Sequence, residues 1–197
     1  MDQGAFLRQL EQIGALKHGH FLLASGRHSA QYVEKFDLLR QPRATERACR
    51  SLIEQLGDLA QVDLVVGPTT GGILLAFEIG RQLSLPAAYA ERARDGASER
   101  AFKRGTVISP GTRVLVVDDI LTTGGSVRET LAALDVAAAE VRAIGLLVDR
   151  SGGAVAFDAP LVSLATLDIE TFAPEDCPLC RDQVPMTKPG STAPHVS

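Results

Sequence analysis

The run Val114-Leu115-Val116-Val117-Asp118-Asp119-Ile120-Leu121-Thr122-Thr123-Gly124-Gly125-Ser126 combines an apolar segment, two adjacent carboxylates and a turn of small residues. Its four leading apolar residues lack polar alternation, which predicts a central parallel strand covered on both faces. Asp118 and Asp119 then fall at the carboxyl end of that strand, where open α/β sheets bind their ligands. In the following turn, glycines let backbone N–H groups approach an anion, and the hydroxyls of Thr122, Thr123 and Ser126 can donate to phosphate oxygens. Ser126 and Glu129 have capping-box spacing, so a helix is predicted to begin there with its positive end facing the same cradle. Carboxylates for hydroxyls beside a nest for phosphate suit a ribose 5-phosphate. An isolated Asp-Asp pair would equally serve as the start of a turn.

The elements that position this run alternate between strand and helix. Helical spacing covers Phe6 to Ile13 and, after Pro42, Arg43 to Leu56. Val62 to Gly67 reads as a strand, Gly72 to Leu83 as a helix, Pro86 to Ala90 as a strand, Arg113 to Asp118 as the strand bearing the acids, and Val127 to Ala139 as the next helix. Val141 to Val148 is read as closing the parallel core. This order predicts an α/β fold with a doubly wound, mainly parallel sheet and right-handed crossovers. A second strand-turn-helix junction, Val65-Val66-Gly67-Pro68-Thr69-Thr70-Gly71-Gly72, repeats the glycine-rich pattern. On its own that junction is equally an ordinary tight connection.

Composition narrows the function classes. A length of 197 residues suits one domain, expected over 1–183, with a disordered tail from 184 to 197 that is rich in Pro, Ser and Thr. A net charge of −4 gives no drive toward nucleic acid, so no nucleic-acid partner is expected. The amino terminus lacks a basic segment followed by an apolar core, and no run is long enough to span a bilayer; a cytoplasmic protein without a membrane partner is expected. Cys49, Cys177 and Cys180 are too few and odd in number for a secreted disulfide framework. The Cys177-Pro178-Leu179-Cys180 pair could bind zinc or form a redox couple, but a complete single-chain zinc site calls for His195 or a symmetry mate, so reduced unpaired thiols are expected. His18, His20 and His28 are read as surface or packing residues.

The acid-bearing run resembles the phosphoribosyl-pyrophosphate (PRPP) signature of type I phosphoribosyltransferases: apolar strand, two acids, two variable residues, then Thr-x-Gly-x-Ser/Thr. The resemblance implies that Asp118 and Asp119 hold the ribose hydroxyls, directly or through Mg2+ bound mostly via PRPP and water. It gives Thr123, Gly124, Gly125 and Ser126 to the 5-phosphate, with Thr122 near the base. By position it gives Thr69, Thr70, Gly71 and Gly72 to pyrophosphate. Phe21-x-Leu23-x-Ser25-Gly26-x-x-Ser29-x-x-Tyr32 is similar to the hood string of the orotate branch of that family, and Arg150 stands where its members pair an arginine with the orotate carboxylate. The resemblance spans roughly residues 5 to 180 of this one domain.

This resemblance implies a hood built from about 1–40 and the C-terminal part, and a homodimer with shared active sites. Its expected activity is Mg2+-dependent transfer from PRPP to orotate in pyrimidine (UMP) biosynthesis. It also implies a flexible flap over 91–111, whose first fifteen residues hold five cations against three acids. Arg92 is assigned there to PRPP, and Lys103 and Arg104 to the charge that grows on departing pyrophosphate. The chain departs from many orotate enzymes in having no Lys with a nearby His-Gly in the flap, and Ala24 where they carry Lys. The rival readings are a transferase for another nucleobase, and a non-catalytic regulator on the same fold. The hood string and Arg150 speak against the first, and the acidic charge without a DNA-binding module against the second.

Overall fold

The computed structural model describes residues 1–189; the remainder of the expected tail, 190–197, and with it His195, lies outside the described residues. In chain order the elements are helix α1 (Gln3–Gln12), strands β1 (Leu16–Leu22) and β2 (His28–Val33), and helices α2 (Lys35–Leu39) and α3 (Pro42–Leu56). Then come β3 (Leu64–Pro68), α4 (Gly71–Leu83), β4 (Ala87–Arg92), β5 (Arg100–Ala101), β6 (Arg113–Leu121) and α5 (Gly125–Val136). The chain continues through β7 (Glu140–Asp149), β8 (Leu161–Thr166), β9 (Thr171–Phe172), α6 (Pro178–Arg181) and β10 (Met186–Thr187).

The main sheet has the order β5-β4-β3-β6-β7-β8, parallel throughout except for the edge strand β5. The expected parallel α/β sheet is therefore present, but β7 does not close it, because β8 adds one more parallel strand. Burial on both faces explains the unbroken apolar run in β6. Val114 and Val116 pack with Val127 and Leu134 of α5. Leu115 and Val117 pack into the opposite layer with Leu52 of α3 and Leu75 and Ile79 of α4. Alternation along a strand then carries the two acids to opposite faces, Asp118 with the α5 side and Asp119 with the α4 side.

A second, smaller sheet has the order β10-β1-β2-β9 and joins the amino-terminal hairpin to C-terminal strands. Thr171 pairs with Ser29, and Thr187 lies beside Phe21 in parallel register. Ordered chain thus continues through Thr187, past the boundary expected at 183.

Several local readings differ from the structure. β6 runs three residues beyond Asp118, because Asp118, Ile120 and Leu121 keep their register with β7. Helix α5 begins two residues earlier than expected, with Gly124 as its N-cap at φ 80° and no side-chain cap. The capping-box reading is thus incorrect: Ser126 lies inside the first turn, and the Glu129 carboxylate pairs with arginines instead of returning to the helix start. Within 91–111, β5 folds back on the end of β4, pairing Arg100 with Arg92 and Ala101 with Glu91. The segment therefore contains a short hairpin.

Candidate active site

The turn after β6 and the start of α5 enclose a cavity of about 230 Å³ lined by Asp118, Thr122, Thr123, Gly124, Gly125, Ser126, Glu129 and Arg92. This brings together the upstream acid, the whole phosphate-loop candidate and one flap arginine. Gly124 is required at its position: φ is 80°, and a Cβ there would come within 2.9 Å of Val155 Cγ1. The start of a helix lined by two threonines and a serine suits an anion. A larger depression of about 650 Å³ between α5 and residues 156–159 contains neither acid nor phosphate loop, so size does not select it.

Asp118 is buried, and its Oδ1 accepts the Asp119 N–H at 2.8 Å. Burial, reinforced by the neighbouring Asp119 carboxylate, holds its pKa well above the usual carboxylate range. Asp119 faces the other layer, where Lys35 Nζ lies 3.2 Å from Oδ1 and 3.0 Å from Oδ2. The Oδ2 contact is an ion pair without hydrogen-bond alignment, leaving that buried oxygen without a hydrogen-bond partner. Two buried carboxylates, one with an oxygen that accepts no hydrogen bond, are the hard oxygen donors that Mg2+ takes.

Gly71 at the start of α4 approaches the same acid. A Cβ added there would stand 1.7 Å from Asp119 Oδ2, so the second glycine-rich turn closes directly on the carboxylate. The Thr69–Thr70 peptide in this turn is cis. Arg100 supports the turn from behind. Its side chain is 3 % exposed, with Nη1 donating to Thr69 Oγ1 and to Ala90 O at 3.0 Å each, and Nε donating to Glu129 Oε2 at 3.0 Å. Glu129 also accepts from Arg92 Nη1 at 3.2 Å. One carboxylate on α5 therefore anchors two arginines from the 91–111 segment, one against each glycine-rich turn.

In the small sheet, Ser25 and Gly26 occupy the exposed β1–β2 turn, closed by Gly26 N–H donating to Leu23 O at 2.9 Å. Arg27 donates to the Thr171 hydroxyl and carbonyl, and Lys35 is committed to Asp119, so both cations near the hood string are engaged. Arg150, at the end of β7, is half-buried, and its Nε has no partner. Desolvation lowers its pKa, and the Tyr32 hydroxyl opposes that shift. A desolvated guanidinium with an unused N–H favours a planar anion such as a carboxylate.

Lys103 and Arg104 are not brought to this constellation. Both are exposed, neither lines the cavity at the start of α5, and Arg104 Nε lies 3.2 Å from Glu91 Oε1. Conversely, sequence reading did not single out Arg100 or Glu129 as organisers, nor the pairing of Lys35 with Asp119. Their partners are distant in sequence and no local spacing marks them.

The phosphoribosyl transferase domain family matches residues 37–178. That class joins both glycine-rich turns and the acids within one matched unit. The orotate phosphoribosyltransferase of Caldicellulosiruptor bescii is 44% identical over 97% of this chain and 98% of its own length, and that of Caldicellulosiruptor saccharolyticus is 43% identical with the same coverage. The crystal structure of orotate phosphoribosyltransferase from Aeropyrum pernix superposes with a TM-score of 0.68 at 35% identity, covering 81% of this chain and 92% of that one. The chain belongs to the phosphoribosyltransferase family, in its orotate branch.

Proposed function

We propose that this protein transfers the 5-phosphoribosyl group of PRPP to orotate, releasing pyrophosphate and orotidine 5-phosphate, as a Mg2+-dependent homodimer in the cytoplasm. The observation that carries the reading is Arg150, a desolvated cation whose Nε has no hydrogen-bond partner and whose backbone N–H donates to Leu121 O at 2.8 Å, next to the turn that lines the cavity.

The amides and hydroxyls of Thr123, Gly124, Gly125 and Ser126 hold the 5-phosphate, and Asp118 and Asp119 hold the ribose hydroxyls. Thr69, Thr70, Gly71 and Gly72 receive pyrophosphate. Arg150 takes the orotate carboxylate, while Ser25, Gly26 and Thr122 fix the pyrimidine ring. As the bond from the anomeric carbon to pyrophosphate breaks, ring-oxygen electrons stabilise the cationic sugar, and an orotate nitrogen attacks the opposite face. Positioning and charge stabilisation suffice, with no covalent nucleophile. Asp118 and Asp119 would hold Mg2+, which would supply charge neutralisation there.

Lys103 and Arg104, exposed away from their own cavity, serve a neighbouring subunit's pyrophosphate. An apolar face of Phe36, Leu74 and Phe77 beside the second glycine-rich turn, with Phe77 67% exposed, supports a partner copy there. Among the described residues no helix is long and apolar enough to cross a membrane. The experiment is orotate consumption, followed by ultraviolet absorbance with PRPP and Mg2+, beside adenine, hypoxanthine, xanthine, guanine and uracil. Orotate turnover alone is the expected result; turnover of a different base discards the role of Arg150, and inactivity toward all six favours a nucleotide-binding regulator.

A further inference from the structure

The small sheet gathers His20 of β1, His28 of β2, Cys177 just before α6 and Cys180 within it. One ligand-capable atom from each lies within 4.8 Å of all the others. His20 Nε2 stands 3.0 Å from His28 Nδ1, 3.6 Å from Cys177 Sγ and 3.7 Å from Cys180 Sγ, and His28 Nδ1 stands 3.3 Å from Cys180 Sγ. Tetrahedral coordination at Zn–N and Zn–S bond lengths separates ligand atoms by about 3.3–3.8 Å, so the spacing is close to that of a zinc shell.

The protonation pattern points the same way. His20 Nδ1 lies 2.8 Å from the Val184 carbonyl, which can only accept, so the ring proton sits on Nδ1. The Nε2 lone pair therefore aims into the cluster. A histidine whose other nitrogen donates to a backbone carbonyl is the usual arrangement of a metal ligand. His20, His28 and Cys177 are buried, whereas Cys180 is exposed and gives the ion a path of entry. Soft thiolates with imidazoles select zinc over Mg2+ or Ca2+.

We propose that His20 Nε2, His28 Nδ1, Cys177 Sγ and Cys180 Sγ bind one Zn2+ per chain in a closed, structural site. All four positions are filled by protein, so the ion has no coordination site for substrate. It crosslinks the β1–β2 hairpin to the C-terminal segment. Two of its ligands bracket the turn that carries Ser25 and Gly26, fixing the base of that loop. The thiols are therefore ligands, contrary to the expectation of unpaired cysteines, and neither His195 nor a symmetry mate is needed. The site is independent of the transferase reading, and its test does not use activity.

The full chain, purified reduced and without chelator, is expected to contain one zinc per chain by plasma mass spectrometry. Replacement by Co2+ is expected to produce a thiolate-to-cobalt charge-transfer band and the intense visible bands of a tetrahedral ion. Cys180→Ser is expected to lower the zinc content at least tenfold. Metal-free wild-type protein that gives no cobalt spectrum, a Cys177–Cys180 disulfide in the freshly isolated chain, a different stoichiometric metal, or zinc retained by C180S would each overturn the proposal. The wild-type measurements decide it even if C180S does not fold.

Discussion

Asp118 carries a conflict between stability and function. Its pKa, pushed up to about 7, means that the folded, ligand-free protein keeps the carboxyl protonated well above the ordinary carboxylate range, while the ribose and Mg2+ of the proposed function call for the carboxylate. The stabilising contribution is complete below the unfolded value of about 4 and is lost as pH rises through the elevated folded pKa. Asp118→Asn keeps an oxygen that can accept the Asp119 N–H and removes the buried charge. In the absence of PRPP, its stability should gain on wild type as pH rises from about 4 to about 7 and level off above that, by about 1–2 kcal/mol in all, while turnover falls about 100-fold or more. A melting difference that stays flat across that range would remove the buried-charge account. Arg150 behaves differently. Because its Nε has no partner, Arg150→Leu abandons no carboxylate within the fold, so stability should be little changed. The orotate KM, measured at saturating PRPP, should rise about 30-fold or more, the cost of losing one side of a desolvated ion pair. An unchanged KM would take the orotate carboxylate elsewhere.

At the scale of elements, what could be read in advance was what lies contiguously in the chain. Strand β6, its acids and the phosphate turn form one run, so hydrophobic pattern and small residues exposed them together. The same run determines which face each acid takes, by simple alternation. Links between elements left no such trace. Arg100 meets Thr69 across 31 positions, Lys35 meets Asp119 across 84, and Cys177 meets His20 across 157. Short strands such as β9 and β10 owe their extended form to a neighbour, because two residues carry too little periodicity to signal a strand. The capping box failed for a related reason: Gly124 in the left-handed region starts the helix, and tertiary arginines claim Glu129. The junction of β3 and α4 offers a direct test of element packing. Gly71→Ala drives a Cβ into Asp119 Oδ2, so the carboxylate must swing and release Lys35. A stability loss of about 1–3 kcal/mol in urea titration and a fall in kcat are expected; wild-type values for both would mean that the turn does not touch the acid.

For the whole molecule, the two sheets divide the labour. Under the proposed function, the main sheet carries the residues assigned to phosphate and ribose, and the smaller sheet carries the turn assigned to the base. If Phe77 lies at a subunit contact, Phe77→Glu should shift the protein to monomer in sedimentation velocity. Activity should fall with it, because the flap cations then have no neighbouring site to serve. A variant that stays dimeric would locate the contact on another face.

The order of strands in the smaller sheet also sets a timetable for synthesis. The main sheet has all its strands once Thr166 has been made, so the PRPP half can assemble on a chain still leaving the ribosome. The β1–β2 hairpin is made first of all the strands, yet its two outer partners, Thr171–Phe172 and Met186–Thr187, are among the last described residues. A nascent chain therefore completes the strands of its main sheet before those of its smaller one, and the earliest strands must wait, with both edges uncovered, for nearly the whole protein to follow them.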